Sequence, residues 1–306
     1  MVMSVEQDLY VTRSGESNLN SGKPPVILLH GLFGMGRNLG TVARVLSDQY
    51  AVFSFDLPNH GRSPHSNAMT IASMADEVLA MLDRLGLQAV NVLGHSLGGK
   101  VAMSLALRHP SRVHKLVVAD IAPVTYASQH DAVFTGLSAI DLQHVKNHPS
   151  RVHKLVVADI APVTYASQHD AVFTGLSAID LQHVKNRAEV QQSLQASIED
   201  TSTCQFLMQN LEKQEQGFRW RMNLPAIIKN YAELRQGLSL DKDHQVFENP
   251  VLFIAGELSD YIKPEYEAVT RTLFPNSAFE EIAGASHWLH AEKPEVFNAL
   301  VLAFFE

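Results

Sequence analysis

The sequence predicts an α/β fold: a mostly parallel sheet with helices on both faces, interrupted late in the chain by a helical cap. Three observations predict it. Short β-branched or apolar runs alternate along the chain with amphipathic segments. The runs are apolar without alternation, as strands buried on both faces are. Between about Thr125 and Glu248 the rhythm stops, giving way to a polar, helix-prone stretch with Gln- and Glu-rich patches.

The elements follow in order. Strands bounded by Gly, Pro, Asn or Asp are expected at Val26–Leu29, Ala51–Phe55, Val90–Leu93 and Leu116–Ala119, with a second copy of the last at Leu155–Ala158. Helices with apolar residues three and four apart are expected at Leu39–Leu46, Met74–Leu87 and Leu97–Arg108. Asn249-Pro250 then restarts the strand pattern at Val251–Ala255 and Phe279–Ile282, with helices at Pro264–Leu273 and Pro294–Phe305. Strand–helix–strand alternation implies parallel pairing through crossover helices. The expected organisation is a core of residues 1–124 and 249–306, with residues 125–248 as the cap.

Composition narrows the function classes. The chain has 306 residues, a formal net charge of −8, 46% hydrophobic and 18% charged residues, which is ordinary for a globular protein and too apolar for disorder. Mild acidity argues against nucleic acid or an anionic membrane as the main partner, because such binders concentrate Lys and Arg. The one cysteine, Cys204, excludes an intramolecular disulfide and a cysteine zinc site. The start Met1-Val2-Met3-Ser4-Val5-Glu6 has no basic region followed by an apolar run, and Phe297–Phe305 is far too short to span a bilayer. A cytoplasmic protein without a membrane span is expected. Composition leaves the oligomeric state open.

Residues 109–147 and 148–186 are identical, a 39-residue repeat without one substitution. Solenoids need about three or more diverged units, so the repeat reads as an in-frame tandem duplication or an artefact of the sequence. Eight of the fifteen histidines lie in the two copies, so the high histidine count is weak evidence for a metal site. One copy is surplus to the fold and is expected within the cap.

Chemistry concentrates in three segments. Val90–Leu93 runs into Gly94-His95-Ser96-Leu97-Gly98 and then a helix. A serine hydroxyl is a weak nucleophile and must be presented on a sharp turn where a base can reach it. Gly94 and Gly98 lack the Cβ that would keep strand and helix apart there. The strand Val26–Leu29 ends in His30-Gly31-Leu32-Phe33-Gly34, a loop whose backbone N–H groups can meet the negative oxygen formed when a carbonyl is attacked. The Leu32 and Leu97 amides are the expected oxyanion donors. Late in the chain, Ile282-Ala283-Gly284-Ala285-Ser286-His287 puts an imidazole between the last strand and a helix opened by Pro294. His287 is the expected base. His290 competes, but sits nearer the helix start, where it would hold the loop.

With these residues in place the chain resembles the α/β-hydrolases, and more narrowly the YbfF-type bacterial esterases, from about Pro24 to Phe305 once one repeat copy is set aside. The resemblance rests on His30-Gly31-Leu32-Phe33-Gly34, Asn59-His60-Gly61-Arg62-Ser63-Pro64, Gly94-His95-Ser96-Leu97-Gly98-Gly99-Lys100, the Asp-Ile-Ala-Pro-Val run that starts at Asp120 and again at Asp159, and His287-Trp288-Leu289-His290-Ala291-Glu292-Lys293-Pro294. It implies hydrolysis of small acyl esters and acyl thioesters, acyl-CoA included, without metal or organic cofactor. The serine nucleophile argues against dehalogenase and epoxide-hydrolase relatives, which use a carboxylate there. The cap, including Phe218-Arg219-Trp220-Arg221-Met222-Asn223, would shape the acyl pocket.

The triad's acid is the open position. Most α/β-hydrolases carry it three residues after a glycine that ends the penultimate strand; here Ser259 fills that slot after Gly256, with Asp260 one place later and Glu257 nearby. The YbfF-type resemblance implies instead the Asp that ends the strand after the nucleophile helix, which the repeat supplies twice, at Asp120 and Asp159. Direct connection to the nucleophile helix favours Asp120. The core motifs also suit a carbon–carbon bond hydrolase or a peptidase on the same scaffold, or a catalytically impaired binding module.

Overall fold

The structure is a computed structural model that describes residues 8–126, 170–238, 240 and 245–306. The second strand copy Leu155–Ala158, and Asp159 with it, lie outside the described residues.

A seven-stranded sheet organises the core. Its strands are β1 (Val11–Ser14), β2 (Val26–Leu29), β3 (Val52–Phe55), β4 (Val90–His95), β5 (Val113–Ala119), β8 (Val251–Gly256) and β9 (Ser277–Ile282), in spatial order β1-β3-β2-β4-β5-β8-β9. The short β6 (Leu211–Lys213) and β7 (Phe218–Trp220) pair separately as an antiparallel hairpin. All pairings in the large sheet are parallel except β1 with β3. The runs Val26-Ile27-Leu28-Leu29 and Val52-Phe53-Ser54-Phe55 are buried throughout, which is why they lack alternation. Helices α1 (Gly40–Leu46), α2 (Ile71–Arg84) and α3 (Leu97–Arg108) occur as the periodicity requires.

One face of the sheet packs Val26, Leu28, Val52, Leu93, Val117 and Ile254 against Val42 and Leu46 of α1 and against Phe297, Val301 and Phe305 of the C-terminal helix Pro294–Phe305. Helices α2 and α3 pack on each other, and α3 also packs on β4 and β5. Each fully buried aliphatic or aromatic side chain contributes about 1.5–3 kcal/mol of transfer free energy. Helix α2 starts at a reciprocal cap: Thr70 Oγ1 accepts from the Ser73 N–H, and Ser73 Oγ from the Thr70 N–H, both at 3.0 Å.

Two features depart from the sequence expectation. Strand β1 was not expected; it is a four-residue antiparallel edge whose Thr12 and Arg13 face solvent, too short and polar to show as a strand pattern. The polar stretch 125–248, expected to lack sheet, contains the β6–β7 hairpin. Its turn uses Gly217 at φ 67°, and Glu212 is paired with Arg219 at 2.6 Å and Arg221 at 3.2 Å. The stretch also carries helices Asp170–Ala178, Arg187–Gln195, Thr201–Met208 and Leu224–Arg235. The chain divides into two compact units: Met1–Thr125 with Phe206–Glu306, and Tyr126–Gln205.

Among the described residues no helix is long and apolar enough to cross a membrane.

Candidate active site

Parallel pairing brings the carboxyl ends of β2, β4, β5 and β8 to one edge of the sheet, the usual place for a site in open α/β folds. Ser96 stands between β4 and α3 with φ 51° and ψ −118°, a conformation non-glycine residues rarely adopt. Such residues cost about 1–3 kcal/mol and persist where their surroundings over-determine them. Here the Ser96 N–H donates to Ala119 O at 2.9 Å, and Ser96 O accepts from the Gly99 N–H at 2.8 Å and the Lys100 N–H at 3.1 Å. A Cβ on Gly94 would lie 2.3 Å from Gly98 O, and one on Gly98 would lie 2.2 Å from Leu29 O. Only glycine fits either position, so the Gly-x-Ser-x-Gly spacing is a packing requirement of the turn.

His287 follows β9 on the loop before helix Leu289–Glu292. Its Nε2 lies 3.1 Å from Ser96 Oγ and its Nδ1 2.6 Å from Asp120 Oδ2. The loop is held by Glu292, whose carboxylate accepts from the Ser286 N–H at 2.8 Å and from the Ser286 hydroxyl. The Tyr261 ring lies 4.4 Å from the His287 ring, centroid to centroid.

Asp120 belongs to the first repeat copy and directly follows β5. Its side chain is fully buried and its backbone φ is 52°. The Asp120 N–H donates to Ile254 O at 2.8 Å, which locks the residue to β8. A buried carboxylate is costly unless donors surround it. Asp120 receives three: the Gly256 N–H at 3.2 Å, the Ser259 hydroxyl at 2.5 Å and His287 Nδ1 at 2.6 Å. Ser259, in the slot where the resemblance to most α/β-hydrolases would put the acid, therefore hydrogen-bonds to Asp120, the aspartate that pairs with the imidazole. The other carboxylates stand apart: Asp260 is 87% exposed and pairs with Lys263 at 3.3 Å, and Glu257 accepts from the Gly284 N–H at 2.7 Å.

The two expected oxyanion amides differ in origin. Leu97 opens α3, so its N–H is one of the donors that a helix start leaves unpaired. The Leu32 N–H has no acceptor among the described residues, whereas the next amide, Phe33 N–H, donates to His60 Nε2 at 3.2 Å. Phe33 is held at φ 60° and its carbonyl accepts from Asn210 Nδ2 at 2.7 Å.

Two buried rings tie this loop to the one after β3. His30 Nε2 accepts from the Leu57 N–H at 2.9 Å and its Nδ1 donates to Gly31 O at 2.8 Å. His60 accepts from Phe33 in the same sense, and its Nδ1 donates to Pro58 O at 2.9 Å. Each ring faces a donor with one nitrogen and an acceptor with the other, so only the neutral Nδ1–H form fits. Burial agrees, lowering His30 to about 4 and, with the neighbouring His30 adding to it, His60 to about 3. The sequence placed both residues in motifs, but nothing local signalled that their rings brace the loop after β2.

A stability prediction follows. The unfolded chain protonates these rings near pH ~6.5, the folded protein only near about 4 and about 3. Between those values the unfolded state binds more protons. Their contribution is therefore complete above the unfolded pKa and is lost on acidification, by roughly 1.4 kcal/mol per pH unit for each ring. His290, lowered to about 4 by burial, adds in the same direction. Urea unfolding is expected to give a midpoint that declines from about pH 6 to about pH 4 as the unfolded chain takes up these protons. A level midpoint across the acid range would show that the rings titrate freely.

Among the described residues no group of three or more His, Cys, Asp or Glu is arranged to hold a metal ion.

The Ser96, His287 and Asp120 side chains thus meet at one edge of a mostly parallel sheet. Residues 24–294 match the family model described as the alpha/beta hydrolase fold, and the chain belongs to that family. It is 32% identical over 289 residues to the sn-1-specific diacylglycerol lipase ABHD11 of Xenopus laevis, covering 92% of this chain and 80% of that one. It is 29% identical over 272 residues to Esterase YbfF of Escherichia coli, covering 89% of each. Among solved structures, a marine microorganism esterase superposes with a TM-score of 0.80 at 33% identity, covering 97% of this chain and 99% of that one.

Proposed function

We propose that the chain is a serine hydrolase that cleaves small acyl esters and acyl thioesters, including acyl-CoA, through an acyl-enzyme. The observation that carries this reading is the His287 imidazole spanning Ser96 Oγ at 3.1 Å and the Asp120 carboxylate at 2.6 Å. In the neutral ring Asp120 holds the proton on Nδ1, leaving Nε2 free to take the proton of Ser96 as its oxygen attacks the acyl carbon. Charge then gathers on the former carbonyl oxygen, where the Leu32 and Leu97 amides stabilise it. Each such donor is worth roughly 10²–10³ in rate. Protonated His287 returns its proton to the departing alcohol or thiol. Water, activated by the same ring, releases the acid and restores Ser96.

The ester-cleaving names of the relatives support the bond type, and the length of the acyl group is for substrate profiling to determine. A fluorophosphonate probe is expected to label native protein once, at Ser96 in the peptide map. A panel of p-nitrophenyl esters, a diacylglycerol and acyl-CoA thioesters is expected to give turnover, with the short acyl groups fastest. Folded protein that takes no label and cleaves no ester would overturn the reading in favour of a binding module. Turnover restricted to a carbon–carbon bond or peptide substrate would move it to another hydrolase class.

A further inference from the structure

Five buried or half-buried histidines lie around the site, and the mechanism above uses only one as a base. His95, the residue immediately before the nucleophile, ends β4 and is 5% exposed. Its Nε2 lies 2.8 Å from the backbone carbonyl of His287. A carbonyl only accepts, so this nitrogen carries the hydrogen and donates. The same ring stands 4.9 Å from the His287 ring and 4.5 Å from that of His290, centroid to centroid. A Cβ added to Gly31 would come within 2.9 Å of His95 Nδ1, so the ring also abuts the backbone of the oxyanion loop. The backbone of His95 is in register with Ala119, the residue before Asp120. One side chain thus touches the base loop and the oxyanion loop from a backbone that adjoins both nucleophile and acid.

We propose that His95 is a positioning residue that fixes the separation of base and nucleophile, acting through its hydrogen bond to the main chain of His287. The inference rests on the hydrolase reading above. The base loop otherwise lacks a sheet element at His287, and the distance that matters is short. A displacement of about 1 Å in a reacting group can cost about 10²-fold in rate. Tying the His287 carbonyl to the residue next to Ser96 makes one rigid strand end carry both reacting groups. The tie also suits the local charge. The titratable groups facing His95 are His287, His290 and His30, and burial together with these neighbours holds its ring neutral. A neutral ring can donate to the carbonyl without opposing the positive charge that forms on His287 during reaction.

The test compares three variants by kcat, KM and the rate of fluorophosphonate labelling. Glutamine places an amide N–H close to the position of imidazole Nε2, asparagine places one near Nδ1, and leucine supplies bulk with no donor. His95→Gln is expected to keep kcat within about threefold, while His95→Asn and His95→Leu lose about 10–100-fold, with KM within about twofold in all three. Labelling rates should follow kcat. The loss in His95→Asn should also fail to add to that of His287→Ala, because it acts through that ring. Asparagine and glutamine variants of equal kcat, or a loss carried by KM, would overturn the proposal even if the leucine variant fails to fold. An inactive parent that takes no label at Ser96 removes the hydrolase reading and this inference with it, whereas an active parent with matching variants overturns only the inference.

Discussion

Asp120→Asn is expected to lower kcat by roughly 10³–10⁴ with little change in KM. Three donors converge on this buried carboxylate: the Gly256 N–H, the Ser259 hydroxyl and His287 Nδ1. An amide can accept with only one of its two ends, so its NH₂ group must face one of these donors. If the NH₂ meets His287, it favours the ring form with Nδ1 unprotonated, and Nε2 then cannot take the proton of Ser96. If the carbonyl meets His287, the negative charge that stabilises the imidazolium is still lost. Asp260→Asn is expected to stay within about twofold of the parent, because that carboxylate pairs with Lys263 in solvent and exposed pairs are worth at most about 1 kcal/mol. Asp159→Asn should do the same, since the single Nδ1–H of His287 is taken by Asp120. Steady-state kinetics on a p-nitrophenyl ester decides it: a full loss in Asp159→Asn with an active Asp120→Asn would assign the acid to the second repeat copy.

Ser96→Ala is expected to remove about 10⁴–10⁶ of kcat and to abolish the fluorophosphonate adduct in the intact mass spectrum. The turn Gly94-His95-Ser96-Leu97-Gly98 presents no second hydroxyl to His287. A second expectation concerns stability. Ser96 holds φ 51°, a strained value that alanine would share and glycine would relieve. Ser96→Gly should therefore be as inactive as Ser96→Ala yet melt at a higher temperature. Equal melting temperatures would show that the turn stores no strain.

Much of this architecture was legible along the chain because its determinants are local. Central strands such as Val26–Leu29 show as unbroken apolar runs, and helices such as Leu97–Arg108 show by their spacing and coincide with the observed bounds. Gly94 was readable for a similar reason: a Cβ there would lie 2.3 Å from Gly98 O within the same strand–turn–helix, whereas at Gly98 it would lie 2.2 Å from Leu29 O of the neighbouring β2. Weak local signals were missed. Strand β1 gains its identity from pairing with Val52–Phe55 rather than from its own four residues. The β6–β7 hairpin hid in a polar stretch, where Gly217 before the alternating Phe218-Arg219-Trp220-Arg221 was the available clue.

The sequence by itself determined the layered fold, the serine on its sharp turn and the histidine after the last strand, since each is written in consecutive residues. Among the acids it favoured Asp120 by chain connectivity alone and left Asp159, Asp260 and Glu257 open, because every one of them is an acid near a strand end. Only the pairing of β5 with β8 sets Asp120 beside Gly256 and Ser259, more than 130 residues away in sequence, where their hydrogen bonds offset the cost of burying its charge and its carboxylate reaches His287. The bracing by His30, His60 and His95 likewise exists only after the strands are in register, because a ring nitrogen acquires its partner from distant backbone and leaves no periodic trace in the chain.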